Sequence, residues 1–171
     1  MNVRESREYN AIVAFYGERR AERSDVPLIA HIDEGLAILE ALGASEAAMR
    51  AYCLHPLVQA DADLATHGAR LRDLTHDVQI MALAFEYRNI ANATLSHRVI
   101  ERASDIPLSP LVEVHAMLVA DKVQNRNDFE RHHRATHPRS AELERYFRLW
   151  LERLGVSDAR YAELVALTSS A

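Results

Sequence analysis

Asp121 occupies the position in this chain that most needs a chemical explanation. Leu111, Val114 and Leu118 recur at i, i+3 and i+7, and Asp121 falls three residues further on, so its carboxylate continues an inward helical face. A buried carboxylate must be compensated, by a metal ion, an arginine or a dense set of hydrogen bonds. Asn125, one turn later, shares that face. His31 lies one residue off an apolar helical stripe and His55 directly precedes Pro56. Imidazole is the commonest metal ligand, yet either histidine alone reads more readily as an ordinary satisfied or half-exposed side chain. Arg20, Arg23, Arg88, Lys122 and Arg126 add positive charge, and arginine grips phosphate bidentately. Any one of them can instead solvate a helix face or pair with one of the 25 acidic residues.

The elements that must position these groups are helical from end to end. Tyr9, Ile12, Val13 and Tyr16 form one amphipathic stripe, and Ile29, Ile32, Leu36 and Leu39 form a second that stops at Gly43. Ser45 is a good N-cap for a third helix, which meets Pro56, where the missing N–H and the ring should break or restart it. The stretch 61–70 reads as a loop. Ile80, Leu83, Ala84, Tyr87, Ile90, Ala91 and Leu95 then keep one face apolar. Ser109-Pro110 predicts a capped start for the helix that carries Asp121, and Ser140 and Ser157 open two more. No segment alternates as a strand, which makes the fold class all-α, a single domain over residues 1–171. Asp77 of the pair His76-Asp77 reads as a stabiliser of a helix N-terminus, and the run Arg131 to Arg134 as a solvated face.

Composition narrows the classes. A length of 171 residues with 49% hydrophobic and 26% charged residues suits one globular domain, and no apolar run reaches the length of a membrane span. A net charge of −5 without a basic tract argues against a duplex nucleic-acid partner. The polar N-terminus and the single cysteine, Cys53, predict a cytoplasmic protein with no internal disulfide.

Four segments carry a resemblance: RAERSDVPLIAHIDEGLAIL, AYCLHPLVQAD, EYRNIAN and MLVADKVQNR. In order and approximate spacing they resemble the hydrolase domain of RelA/SpoT-type proteins, within the HD superfamily, and its small stand-alone relatives, some carried by phages. The resemblance covers roughly residues 15–130 and implies an all-helical HD bundle, which the helices over 140–167 would complete. It implies a divalent metal, usually Mn²⁺, and removal of the 3′ pyrophosphate from guanosine tetra- and pentaphosphate. Carried over, it makes His31, His55 and Asp121 metal ligands, Asn125 a ribose contact, and Arg20 or Arg23 a base or phosphate contact. A phage-borne form would work in a bacterial host's cytoplasm.

The chain departs from that pattern where it matters most. Pro56 stands where the family has a metal-binding Asp, and Gln59 and Ala60 stand where it has the Glu-Asp pair that activates water. Gln59 and Asp61 are the remaining catalytic candidates, Asp61 and Asp63 being close enough in sequence to enter a rearranged ligand shell. The expectation is therefore a protein that captures a phosphorylated purine nucleotide with impaired hydrolysis, with or without metal. Lys122 and Arg88 would meet phosphate, and Tyr87 would stack on the base or lie in the core. The alternatives are a metal-dependent pyrophosphohydrolase with a rearranged ligand set and a domain that keeps only the fold. A homo-oligomer is compatible with either nucleotide reading.

Overall fold

The computed structural model describes residues 2–22, 24–95 and 98–168. The chain is all-helical, as its periodicity implies: α1 (Arg7–Tyr16), α2 (Ile29–Ala41), α3 (Glu46–Val58), α4 (Asp61–His67), α5 (Leu71–Leu74), α6 (Val78–Ala93), α7 (Val112–Asp128), α8 (Ser140–Arg153) and α9 (Asp158–Thr168). Helices α3 and α7 form the centre. The first packs against α1 and α6, the second against α2, α6 and α8, and α9 closes over α2 and α7. Trp150, Tyr52 and Tyr87 are the largest fully buried side chains of one continuous apolar cluster. The architecture is that of a helical bundle. Among the described residues no helix is long and apolar enough to cross a membrane.

Local chemistry explains where several helices begin and end. Ser6 caps α1 by accepting from Tyr9 N, Ser45 caps α3 through Ala48 N, and Asp77 caps α6 through Gln79 N and Ile80 N. The His76-Asp77 pair is thus a capping feature, as its position before an apolar run suggests. Gly43, at φ +65°, ends α2 in the left-handed region that suits glycine.

Four boundaries differ from the sequence expectation. The segment 61–70 is not a loop: α4 and a 3₁₀ turn over Gly68–Arg70 occupy it, with Leu64 packed against the core. Pro56 does not break α3 at once, because it sits in the last turn and the helix ends two residues later. Helix α7 starts at Val112 rather than at Pro110, since Ser109 Oγ spends its bond on Leu111 N in a tight turn. Past Asp128, α7 widens into a π-helical turn over Phe129–His133, with Phe129 buried as its anchor.

Between α1 and α2 the chain folds back on itself. Ala21 N donates to Val26 O (2.8 Å) and Leu28 N to Arg19 O (2.9 Å), pairing Arg20 with Pro27 in a single antiparallel bridge. Asp25 turns the tip at φ +56°, a conformation Asp tolerates, and Arg20 Nε holds it through the Asp25 carbonyl (2.9 Å) and carboxylate (3.0 Å). This lip overhangs the cleft described below.

Two core features have measurable consequences. Gly35 lies so close to the Tyr52 ring that an added Cβ would overlap it. Gly35→Ala should therefore destabilise by about 1–3 kcal/mol despite the better helix propensity of alanine, read as a lower urea midpoint. Glu8 is fully buried and receives Arg50 Nε (2.9 Å) and Nη2 (3.0 Å). Burial pushes its carboxyl up, but the bonds from Arg50 and Thr75 outweigh burial and hold it below 4.5. A pKa lowered by folding stabilises above the unfolded value and is lost as pH falls through the folded one. Urea titrations between about pH 6 and about pH 3 should show Glu8→Gln losing less stability on acidification than wild type.

Candidate metal centre

The three residues singled out in the sequence meet at one point. His31, in the first turn of α2, His55, in the last turn of α3, and Asp121, in the middle of α7, bring one ligand atom each within 4.8 Å of the others. His31 Nε2 lies 3.2 Å from His55 Nε2 and 3.5 Å from Asp121 Oδ1, and His55 Nε2 lies 3.8 Å from the same oxygen. A point equidistant from these atoms is about 2.0 Å from each, the bond length of a divalent ion to imidazole and carboxylate. The donor set fits such an ion, with coordination positions left open towards the cleft.

Each ligand is fixed from behind. His31 Nδ1 donates to Gln124 Oε1 (2.6 Å), and Gln124 Nε2 donates to Glu34 Oε2 (3.1 Å), which settles the amide's orientation. His55 Nδ1 donates to the Tyr52 carbonyl (2.6 Å). A carbonyl only accepts, so both rings carry their proton on Nδ1 and turn the lone pair of Nε2 inward. Two inward lone pairs and a carboxylate oxygen repel one another unless a cation joins them.

Pro56 has a direct part in this. In an uninterrupted helix the Tyr52 carbonyl would accept the N–H of residue 56, and proline has none. The carbonyl freed in this way is the one His55 uses. Pro56 therefore offers no ligand atom itself and helps to set the tautomer of His55.

The charges behind the centre are balanced. Lys122 is buried, with Nζ 2.8 Å from Asp121 Oδ2 and 4.9 Å from the centre of the Trp150 ring. Asn125 Nδ2 donates to Asp121 Oδ1 (2.8 Å). Burial would raise the Asp121 carboxyl, but the Lys122 ammonium beside it holds it well below the ordinary range. His55 goes the other way: burial, then the neighbouring His31, lower it to about 3. At neutral pH the carboxylate is ionised and His55 neutral, the forms that bind metal.

The centre opens into a cleft of about 320 Å³ roofed by the lip at Ser24, Val26 and Pro27 and bordered by Gln59, Asn125 and Asp128. No lysine or arginine lines it among the described residues. Several expected phosphate contacts are placed elsewhere. Lys122 is the counterion of Asp121, Arg20 is tied to Asp25, and Arg88 is paired with Asp61. Arg126 pairs with Glu130 and covers the Tyr161 ring. Arg23 lies outside the described residues. Tyr87 is wholly buried with its ring 4.9 Å from that of His55, so it walls the histidine and offers no face to a base. Asp61 does not join the ligand set, being held by Arg88.

Gln124 and Glu34 are the residues that sequence reasoning missed. Gln124 lies three residues after Asp121, a helical spacing that puts it on the same face, but its partner on α2 has no local signature. Compared with protein-family models, curated proteins and solved structures, the chain matches none.

Pro56→Ala returns an N–H to the Tyr52 carbonyl. The long-range ¹H–¹⁵N spectrum of the metal-free variant should show His55 no longer confined to one tautomer, and Mn²⁺ affinity should fall about tenfold. An unchanged tautomer would show that the carbonyl does not orient the ring.

Proposed function

We propose that this chain is a divalent-metal-dependent member of the HD type that captures a phosphorylated purine nucleotide through His31, His55 and Asp121 and hydrolyses it slowly or not at all. The observation that carries this reading is the convergence of three donor atoms whose tautomers and charge are set from behind. A divalent cation held there supplies positive charge and polarises a phosphoryl oxygen. That charge is needed, because the described cleft offers a phosphate no lysine or arginine of its own. The purine nucleotide as ligand class rests on the resemblance of the four quoted segments.

Slow turnover follows from the same wall. Gln59 lines the cleft where the resemblance calls for an acidic group, and an amide is no general base. Asp128, the only other carboxylate on the cleft among the described residues, lies two helical turns from Asp121, about 10 Å along the axis, and is paired with His133. Asn125 holds Asp121 through one N–H, which leaves the rest of its amide, on the cleft wall, able to meet a ligand.

The test is to incubate the protein with Mn²⁺ and guanine and adenine nucleotides of increasing phosphate number, denature it, and identify by mass spectrometry what it retained. Intact nucleotide should be recovered from wild type and lost with chelator or in His31→Ala, a half-buried position where truncation spares the core. Retention that survives chelator and His31→Ala would exclude the metal from binding. Multiple-turnover release of shortened nucleotides would make the chain an efficient pyrophosphohydrolase instead.

A further inference from the structure

Tyr16, Pro56 and Gln59 do not close the cleft. Their far sides border a second chamber of about 400 Å³ between α1, the α3–α4 junction and α6. Gln59 is one turn beyond His55, about 6 Å along the axis, so the two chambers are within reach of a single small molecule.

The second chamber has a specific chemistry. Asn92 of α6 borders it and donates Nδ2 to the Gln59 carbonyl (2.5 Å). Because that partner only accepts, the amide cannot be flipped, and its other atom is the oxygen. Asn92 Oδ1 is buried with no hydrogen-bond partner among the described residues. A buried acceptor left in this way calls for a donor. Around it the wall is apolar and partly aromatic, from Phe15, Tyr16, Pro56 and Leu95.

The charges at the rim disfavour phosphate. Arg19 lies over the Phe15 ring and is spent on the carbonyls of Phe15 and Tyr16, while Asp63 contributes a carboxylate. A carboxylate and a bare amide oxygen both ask for N–H groups.

We propose that this second chamber is a subsite for a planar heterocyclic base, which is held between Tyr16, Pro56 and Leu95 and donates an N–H to Asn92 Oδ1. The subsite deepens the nucleotide reading above and rests on it for the identity of the ring. It replaces Tyr87, which is sealed in the core, as the place where a base would be recognised.

The experiment separates the two claims, because nucleosides carry no phosphate and need no metal. Guanosine and adenosine are titrated into metal-free, ¹⁵N,¹³C-labelled protein at up to millimolar concentration, with ribose 5-phosphate as the probe that lacks a base. The nucleosides should move the Asn92 side-chain amide and the Leu95 methyl resonances, and ribose 5-phosphate should not. Asn92→Ala should weaken nucleoside binding about tenfold and leave metal-dependent binding of inorganic pyrophosphate unchanged. No shift with either nucleoside would leave the chamber to water and overturn the subsite, whatever the metal centre does. Loss of pyrophosphate binding in wild type, with the nucleoside shifts present, would overturn the metal reading and leave the subsite standing.

Discussion

The buried charge on Asp121 is the constraint around which the bundle is arranged. A carboxylate in an apolar interior is tolerated only when compensated, and here compensation comes from two directions. Lys122 takes one oxygen from behind, shielded by Trp150 and Tyr146, and Asn125 Nδ2 donates to the other, the one that faces the two imidazoles. The pairing with Lys122 makes the carboxylate affordable without neutralising its front. Helices α2, α3 and α7 are thereby committed to one mutual placement, since each supplies one of the three inward atoms.

How the histidines are held gives Pro56 a part in the centre although its side chain offers no ligand atom. Its missing N–H leaves the Tyr52 carbonyl free for His55, and α3 ends two residues later, where Gln59 borders both chambers. Under the function proposed above, such a centre would hold an anion by its oxygen atoms. Among the described residues, Asp128 is the one carboxylate besides Asp121 that borders the cleft.

Much of this was legible in the sequence, for local reasons. The stripes of α1, α2, α6 and α7 follow directly from their apolar spacing, and Ser45 and Asp77 announce their helices by cap chemistry. The inward position of Asp121 followed from Val114 and Leu118 of the same helix, whereas Leu111, read as part of that stripe, precedes α7 and is exposed. What escaped is what depends on contacts between distant segments. Lys122, next in sequence to Asp121, should point about 100° away from it on a helix, yet its flexible stem lets the ammonium return to the carboxylate. Arg88 and Asp61 each looked like ligand-binding groups and instead satisfy each other across α6 and α4. The polar stretch 61–70 gave no sign of folding because α4 is short and held mainly by its packing on α3. The Gln124 bond to His31 spans 93 residues and leaves no trace in either neighbourhood.

The π-helical turn after α7 bears on how this chain can vary. In a regular helix, residues five apart point about 140° away from each other, and the wider turn over Phe129–His133 is what lets His133 reach Asp128 at 3.1 Å. Such a turn amounts to one additional residue accommodated without unwinding the helix around it. The rim of the cleft is accordingly sensitive to chain length there as much as to side-chain identity. A single-codon insertion or deletion in this stretch would rotate everything downstream and take His133 away from Asp128 on the rim, while Asp121, two turns upstream, kept its place.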